Sequence, residues 1–434
     1  MIETASLRSN IAAGDRICIL TPGSIGSNPR VVKEADALHE AGFLVTVIST
    51  RTLERVEPRD QALMQRIKWR LKRIDLRSRL NWRLLRVPQL AARQLYGLTS
   101  LHGLASMGFS PFTAALRREA EMTLADLYIA HYPAALPVAA AAAKRNGACY
   151  AYDAEDYHLG DWPDDVAFDL DRRLVRGIEG RYLPGCAYVT AASPGIADAL
   201  VSAYGIPRPR VVLNVFPLDQ APPGPTPRGV TEPGPSLYWF SQTIGPDRGL
   251  ECAVRAIAAA TTRPHLYLRG SLAAGYGEQS RELAAGVGAP DRLHFLEPAA
   301  PDDMEKLAAA YDLGFCGEPG YTANNLMALS NKLFSYLLAG VPPLMSDTPA
   351  HRAFAAEAGL QHLVYTADDP VALAVLLDRL LGDPTQLAAI RADVWRMGRE
   401  RYNWRIEGGS LVETVGRATR SETPPSVVAD AQTV

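Results

Sequence analysis

The residues best placed to do chemistry are Ser330, Asn331 and Lys332, at the head of an apolar pattern, Leu333, Phe334, Leu337 and Leu338, with helical spacing. Ser330 or Asn331 can cap that helix, Gly340 stops it, and a short strand follows over 341–345. A helix start offers free backbone N–H groups and the positive end of the dipole, and Lys332 adds a full charge beside them. Such a start suits a phosphate or diphosphate. The plain alternative is an amphipathic helix with a solvated lysine. A second candidate is the loop 21–30, which leaves the buried strand Arg16–Leu20 and carries Gly23 and Gly26, where backbone can approach a guest closely. A third is His131, at the end of the apolar run 126–130, with Asp153 and Glu155 in the loop that ends the next strand. These three share one sheet edge, either as polar cleft residues or as a hydrogen-bonded structural group.

The elements that must position these residues alternate strand and helix. In the first half, strands are expected at Arg16–Leu20, 43–48, 126–130, 148–152, 187–191 and 210–213, with helices at 31–41, 134–145, 172–183 and 193–204. A stretch rich in proline and glycine, 217–235, reads as a linker. Beyond it the rhythm restarts: strands at 237–240, 265–269, 292–296 and 313–316, a loop at 241–249, and helices at 250–260 and 304–310. This predicts an α/β chain of two doubly wound, Rossmann-like domains, 1–216 and 236–400, facing across a cleft. A last helix is expected over 401–419, and the tail 420–434 has the composition of a disordered segment.

A chain of 434 residues exceeds what one core usually serves, which agrees with two domains. The formal net charge of −2 gives no global pull toward nucleic acid, and no nucleic-acid partner is expected. Five scattered cysteines lack the spacing of a zinc site or a disulfide framework, which fits a reducing cytoplasm. Residues 66–93 are different: ten basic residues face the single acid Asp75, with Trp69, Trp82 and several leucines between them. Read as a basic amphipathic segment, they suit an anionic membrane surface or an anionic acceptor; read plainly, they are a solvated helical face. Single-stranded nucleic acid is a more distant option.

The second half carries a resemblance. Ser330-Asn331-Lys332-Leu333-Phe334 through Ala339-Gly340-Val341-Pro342, then Ser346-Asp347, resembles the donor-binding signature of GT-B glycosyltransferases, above all the family 4 of retaining, sugar-nucleotide-dependent enzymes. The run Ser241-Gln242-Thr243-Ile244-Gly245-Pro246-Asp247-Arg248-Gly249 resembles the loop in which that family sets a basic residue before a glycine. Glu179 with Ser193, and Tyr402-Asn403-Trp404, resemble two further marks, the second opening a helix that crosses back to the first domain. The resemblance implies that Arg248 and Lys332 hold the donor diphosphate and that His131 lies near the transferred sugar, these three being the expected catalytic residues. It implies donor binding by Gly23, Gly26, Gln242, Thr243, Gly245, Glu318, Ser330, Asn331 and Ser335, with Asn28, Arg30, Asp153 and Glu155 on the acceptor or cleft side.

Two departures stand out. The family's pair of glutamates falls on Met327 and Ser335, with Glu318 the nearest acid, and an expected arginine is Thr243. The implied activity is transfer of a sugar from a nucleotide diphosphate donor to a lipid-linked or polysaccharide acceptor in surface glycan synthesis. The implied place is the cytoplasm, peripheral on the inner face of the membrane. No metal or other cofactor is expected, because no carboxylate pair reads as a metal clamp. Two rivals remain open: a catalytically degenerate scaffold or partner subunit, and a sugar-nucleotide epimerase of the same fold.

Overall fold

The structure, a computed structural model, describes residues 14–52, 54–225 and 234–420. Residues 226–233 of the expected linker, and all of the expected tail except Arg420, lie outside the described residues. The chain divides into two compact units, one of residues 1–212 and 408–434, the other of residues 213–407.

The first unit is built on seven parallel strands, β1 (Arg16–Leu20), β2 (Leu44–Arg51), β3 (Arg70–Asp75), β4 (Leu127–His131), β5 (Cys149–Ala154), β6 (Val189–Ala191) and β7 (Arg210–Val211), in the order β3-β2-β1-β4-β5-β6-β7. Its helices are α1 (Pro29–Glu40), α2 (Glu57–Arg66), α3 (Arg79–Thr99), α4 (His102–Phe109), α5 (Phe112–Glu121), α6 (Leu136–Asn146), α7 (Asp169–Tyr182) and α8 (Pro194–Tyr204). Ile17, Ile19, Leu127 and Ile129 are buried, as expected of central parallel strands covered on both faces. Strand order reverses between β1 and β4. That switch point brings the loop after β1 and the carboxyl end of β4, with His131, to the edge where open α/β sheets bind ligands.

The second unit repeats the plan with six parallel strands, β8 (Ser236–Ile244), β9 (His265–Leu272), β10 (Leu293–Leu296), β11 (Leu313–Cys316), β12 (Pro343–Ser346) and β13 (Val364–Tyr365), ordered β10-β9-β8-β11-β12-β13. Its helices are α9 (Leu250–Ala259), α10 (Tyr276–Gly286), α11 (Met304–Ala308), α12 (Ala323–Met327), α13 (Asn331–Ala339), α14 (Pro349–Ala358), α15 (Pro370–Leu381) and α16 (Pro384–Glu400). The switch point here lies between β8 and β11, at the β8 loop and Gly317-Glu318. A last helix, α17 (Trp404–Arg420), begins in this unit, where Trp404 N–H donates to the Phe216 carbonyl at 2.9 Å, and its residues from Gly408 belong to the first unit.

The basic stretch 66–93 is not one amphipathic segment, and that expectation is corrected. It comprises the end of α2, the edge strand β3 and most of α3. Charged residues suit an edge strand because they blunt further pairing. Several of them are spent inside the unit: Lys72 on Glu119 at 2.6 Å, Arg73 on Glu57 and Asp60 at 2.7 and 2.8 Å, Arg93 on Asp171 at 2.7 Å.

Candidate active site

In the second unit the carboxyl end of β11 hands the chain to Gly317 and Glu318, and α13 starts at Asn331. The Lys332 ammonium lies 3.2 Å from Glu318 Oε1, with the two side chains 13% and 18% exposed. The same ammonium sits 5.6 Å from the ring centroid of the buried Trp239 on β8, within cation–π reach. An ammonium has three donors, so the pairing with Glu318 leaves capacity for an anion at the helix start. Burial works to raise the Glu318 pKa, but Lys332 and then His351 outweigh it and hold the carboxyl down at about 2. His351, on α14, donates through Nδ1 to the Ser346 carbonyl at 2.9 Å and turns Nε2 to Glu318 Oε2 at 3.9 Å. Burial, the largest influence, keeps the His351 pKa below its ordinary value. Ser346 Oγ donates to the Glu318 carbonyl at 2.7 Å and fixes the loop from the other side.

The β8 loop reaches the same switch point. Arg248 is exposed and has no ion pair among the described residues. It is flanked by Asp247 at φ 60° and Gly249 at φ 69°. A Cβ on Gly249 would stand 2.0 Å from the Gly317 carbonyl oxygen. That contact lets the β8 loop close on the end of β11, and it admits only glycine. Gly249→Ala is therefore expected to cost at least about 2 kcal/mol, combining a left-handed conformation with a backbone clash, read as a lowered Tm in thermal unfolding.

Several expectations fare differently. Gln242 and Thr243 are not loop residues: β8 extends to Ile244, with a register shift between Phe240 and Thr243, and Thr243 pairs with Ser271. Ser335 is fully buried and donates to Glu305 Oε1 at 2.7 Å, so it packs α13 on α11 and does not offer its hydroxyl to a donor. Ser330 holds the N-cap position of α13 without a side-chain capping bond, and Asn331 is exposed beside it. Gly245 occupies the β8 loop as expected. A cavity of about 520 Å³, lined by Pro246, Asp247, Glu251, Arg255, Tyr321 and Asp368, lies beside this loop but includes neither Arg248 nor Lys332.

In the first unit Gly23 leaves its loop open, since a Cβ there would meet only Ser27 Oγ at 3.7 Å. Gly26 serves another purpose than donor approach: its N–H donates to Asp60 Oδ1 at 2.7 Å, and a Cβ would stand 2.8 Å from that oxygen. Asn28 caps α1, its Oδ1 accepting from Val31 N–H at 3.2 Å. Arg30 grips Asp153 with two bonds of 2.6 and 2.7 Å, and Thr190 donates to Asp153 Oδ1 at 2.5 Å. His131, 1% exposed, meets Glu34 Oε2 through Nε2 at 2.6 Å and lies 3.3 Å from Asp153 Oδ2 through Nδ1. Burial opposes the charged ring, yet Glu34 and Asp153 outweigh it and raise its pKa. The His131 ring therefore lies between two carboxylates at the carboxyl end of β4, the edge on which the sequence places it. Glu155 is half-buried in the next loop. Sequence reasoning missed Glu34 and His351, which lie far along the chain from the residues they pair, and also Tyr132, which follows His131 at φ 67°. A left-handed backbone is uncommon for a bulky residue, and here it falls at the carboxyl edge of the sheet.

Residues 26–215 match the family model described as a glycosyl transferase 4-like domain. Among solved structures, Anabaena HepE in complex with UDP and glucose is 16% identical, with 93% of this chain and 100% of that one covered at a TM-score of 0.68. Sucrose-phosphate synthase from Thermosynechococcus elongatus is 14% identical, with 93% and 100% covered at 0.67. A variant of S. aureus TarM, in complex with Fondaparinux, alpha-GlcNAc-glycerol and UDP, is 9% identical, with 94% and 100% covered at 0.66. No curated protein sequence matches the chain. At these identities the solved structures speak to the fold, two Rossmann-like units of the GT-B type.

Proposed function

We infer the reaction from a chain whose first domain belongs to the glycosyl transferase 4-like family and whose fold is GT-B: this glycosyltransferase moves a sugar from a nucleoside diphosphate to an acceptor hydroxyl. The acceptor is a lipid-linked or polysaccharide glycan built at the cytoplasmic side of a membrane, and the anomeric configuration is retained. In the transfer the bond from the anomeric carbon to the diphosphate oxygen breaks, a bond to the acceptor oxygen forms, and the acceptor proton passes to the departing diphosphate oxygen. Negative charge grows on the departing diphosphate. Preorganised cations and helix-start N–H groups stabilise it in the transition state. The observation that carries this reading is the placement of Lys332 at the start of α13 and of Arg248 in the β8 loop, both at the switch point of one sheet. HepE, a structural neighbour whose complexes hold UDP, UDP with glucose, and UDP-glucose, supports a uridine nucleotide as the first donor to try.

The test is a thermal-shift and calorimetric screen against UDP, GDP, dTDP, ADP and their sugars, in wild type and Lys332→Ala. One nucleotide is expected to raise the wild-type Tm and to act much more weakly on the variant. Two other results would replace this reading. No binding by any nucleotide favours a degenerate scaffold, a reading that Ser335, engaged with Glu305 where the family has a carboxylate, already motivates. Conversion of a sugar nucleotide without acceptor favours an epimerase.

A further inference from the structure

Helix α3 is held on one face only. Gln89, Ala92 and Tyr96 are buried there, Gln89 Nε2 donates to the Gly108 carbonyl at 2.5 Å, Tyr96 OH donates to the Arg173 carbonyl at 2.9 Å, and Arg93 pairs with Asp171. On the opposite face Leu84 (63% exposed), Val87 (65%), Leu95 (50%) and Leu98 (84%), with the exposed Ala91 between them, recur every three or four residues. They form a stripe about 21 Å long on an ideal helix. An apolar stripe of that length in water marks a docking face. Its surroundings say what docks. Residues 76–118 include seven arginines and no aspartate or glutamate; Arg83 is exposed beside the stripe, and Arg86, also exposed, gives one guanidinium N–H to Gln89 Oε1 at 2.8 Å and keeps its others for an anion. A second copy of this chain would set arginine against arginine, whereas a surface of lipid phosphates complements both the charge and the apolar stripe. Among the described residues no helix is long and apolar enough to cross a membrane.

We propose that α3 lies in the plane of an anionic lipid bilayer, with Leu84, Val87, Ala91, Leu95 and Leu98 among the acyl chains and Arg83 and Arg86 at the headgroup phosphates. The inference deepens the reading of a membrane-borne acceptor but stands on α3 alone, so failure at the donor site leaves it intact. It also moves the contact away from β3, whose Lys72 and Arg73 are paired internally.

The experiment is co-sedimentation of the full chain with vesicles of phosphatidylglycerol and phosphatidylcholine, and with phosphatidylcholine alone. Wild type is expected to bind the anionic vesicles, less tightly as salt rises from about 0.1 to about 0.5 M. Leu84→Glu with Leu95→Glu is expected to bind at least about tenfold more weakly, because a carboxylate would have to enter the acyl region. The Tm should be unchanged, since both positions face water in the free protein. Lys68→Glu with Arg70→Glu, just before and at the start of β3, is expected to bind as wild type does. Wild-type affinity in the α3 pair, loss in the β3 pair, or equal binding to neutral vesicles would each overturn the proposal. So would a dimer, seen by analytical ultracentrifugation, that the α3 pair dissolves while vesicles go unbound.

Discussion

Lys332→Ala is expected to lower kcat/KM for the natural donor about a hundredfold, the ordinary consequence of removing one preorganised donor from a developing oxyanion. The loss should fall mainly on kcat, because the charge on the leaving diphosphate is larger in the transition state than in the bound donor. One confounding effect can be anticipated. In the free protein Lys332 neutralises Glu318, which is only 18% exposed, so the alanine variant leaves that carboxylate without its ammonium partner, 3.9 Å from His351 Nε2. Part of the lost activity could then reflect a loosened loop. Adding Glu318→Gln to Lys332→Ala separates the two causes. The double variant should recover the wild-type Tm, since no unpaired charge remains, while turnover stays about a hundredfold down. Recovery of turnover along with Tm would show that Lys332 acts by holding the loop and not on the diphosphate.

The helix α13 that carries Lys332 was legible in the sequence because its signal is local: an apolar helical period, a capping residue and a glycine stop within about three turns of helix. The strand rhythm was legible for the same reason. Contacts that join distant parts of the chain were not. The histidine at residue 131 reads either as a cleft residue or as a hydrogen-bonded structural group, and its partner Glu34, 97 positions away, is invisible to a local reading. Gly26 reads as a ligand glycine until Asp60, 34 positions on, takes its N–H. Strand β3 was hidden because charge dominates its composition, and the acids that neutralise it come from α2 and α5. Composition gave the right count of arginines on 66–93 but not which ones face outward. That division is what separates an internal salt-bridge edge from the exposed stripe of α3.

The largest effect on stability is expected from Asp153→Asn. Arg30 is 2% exposed and sends two hydrogen bonds to Asp153, while Glu34 serves His131. Breaking a buried pair by neutralising one member leaves the other charge desolvated, at a cost of roughly 3 to 5 kcal/mol. For a unit of this size that lowers Tm by on the order of 10 °C, measurable by calorimetry. Wild-type stability should also depend on pH from both sides. Burial alone would raise the Asp153 pKa, but Arg30 overcomes it and holds the carboxyl at about 2. Its contribution is therefore complete above the unfolded value, near 4, and is lost as pH falls toward 2. His131 has the opposite sign: with its folded pKa raised, its contribution is complete below about 6.5 and is lost as pH climbs through the folded value. The network is therefore strongest between about pH 4 and about pH 6.5. Asp153→Asn should flatten the acid limb of a Tm profile and His131→Gln the alkaline limb. If His131→Gln leaves the alkaline limb as steep as in wild type, the ring is neutral between its carboxylates, and a free base at this sheet edge becomes available to catalysis again.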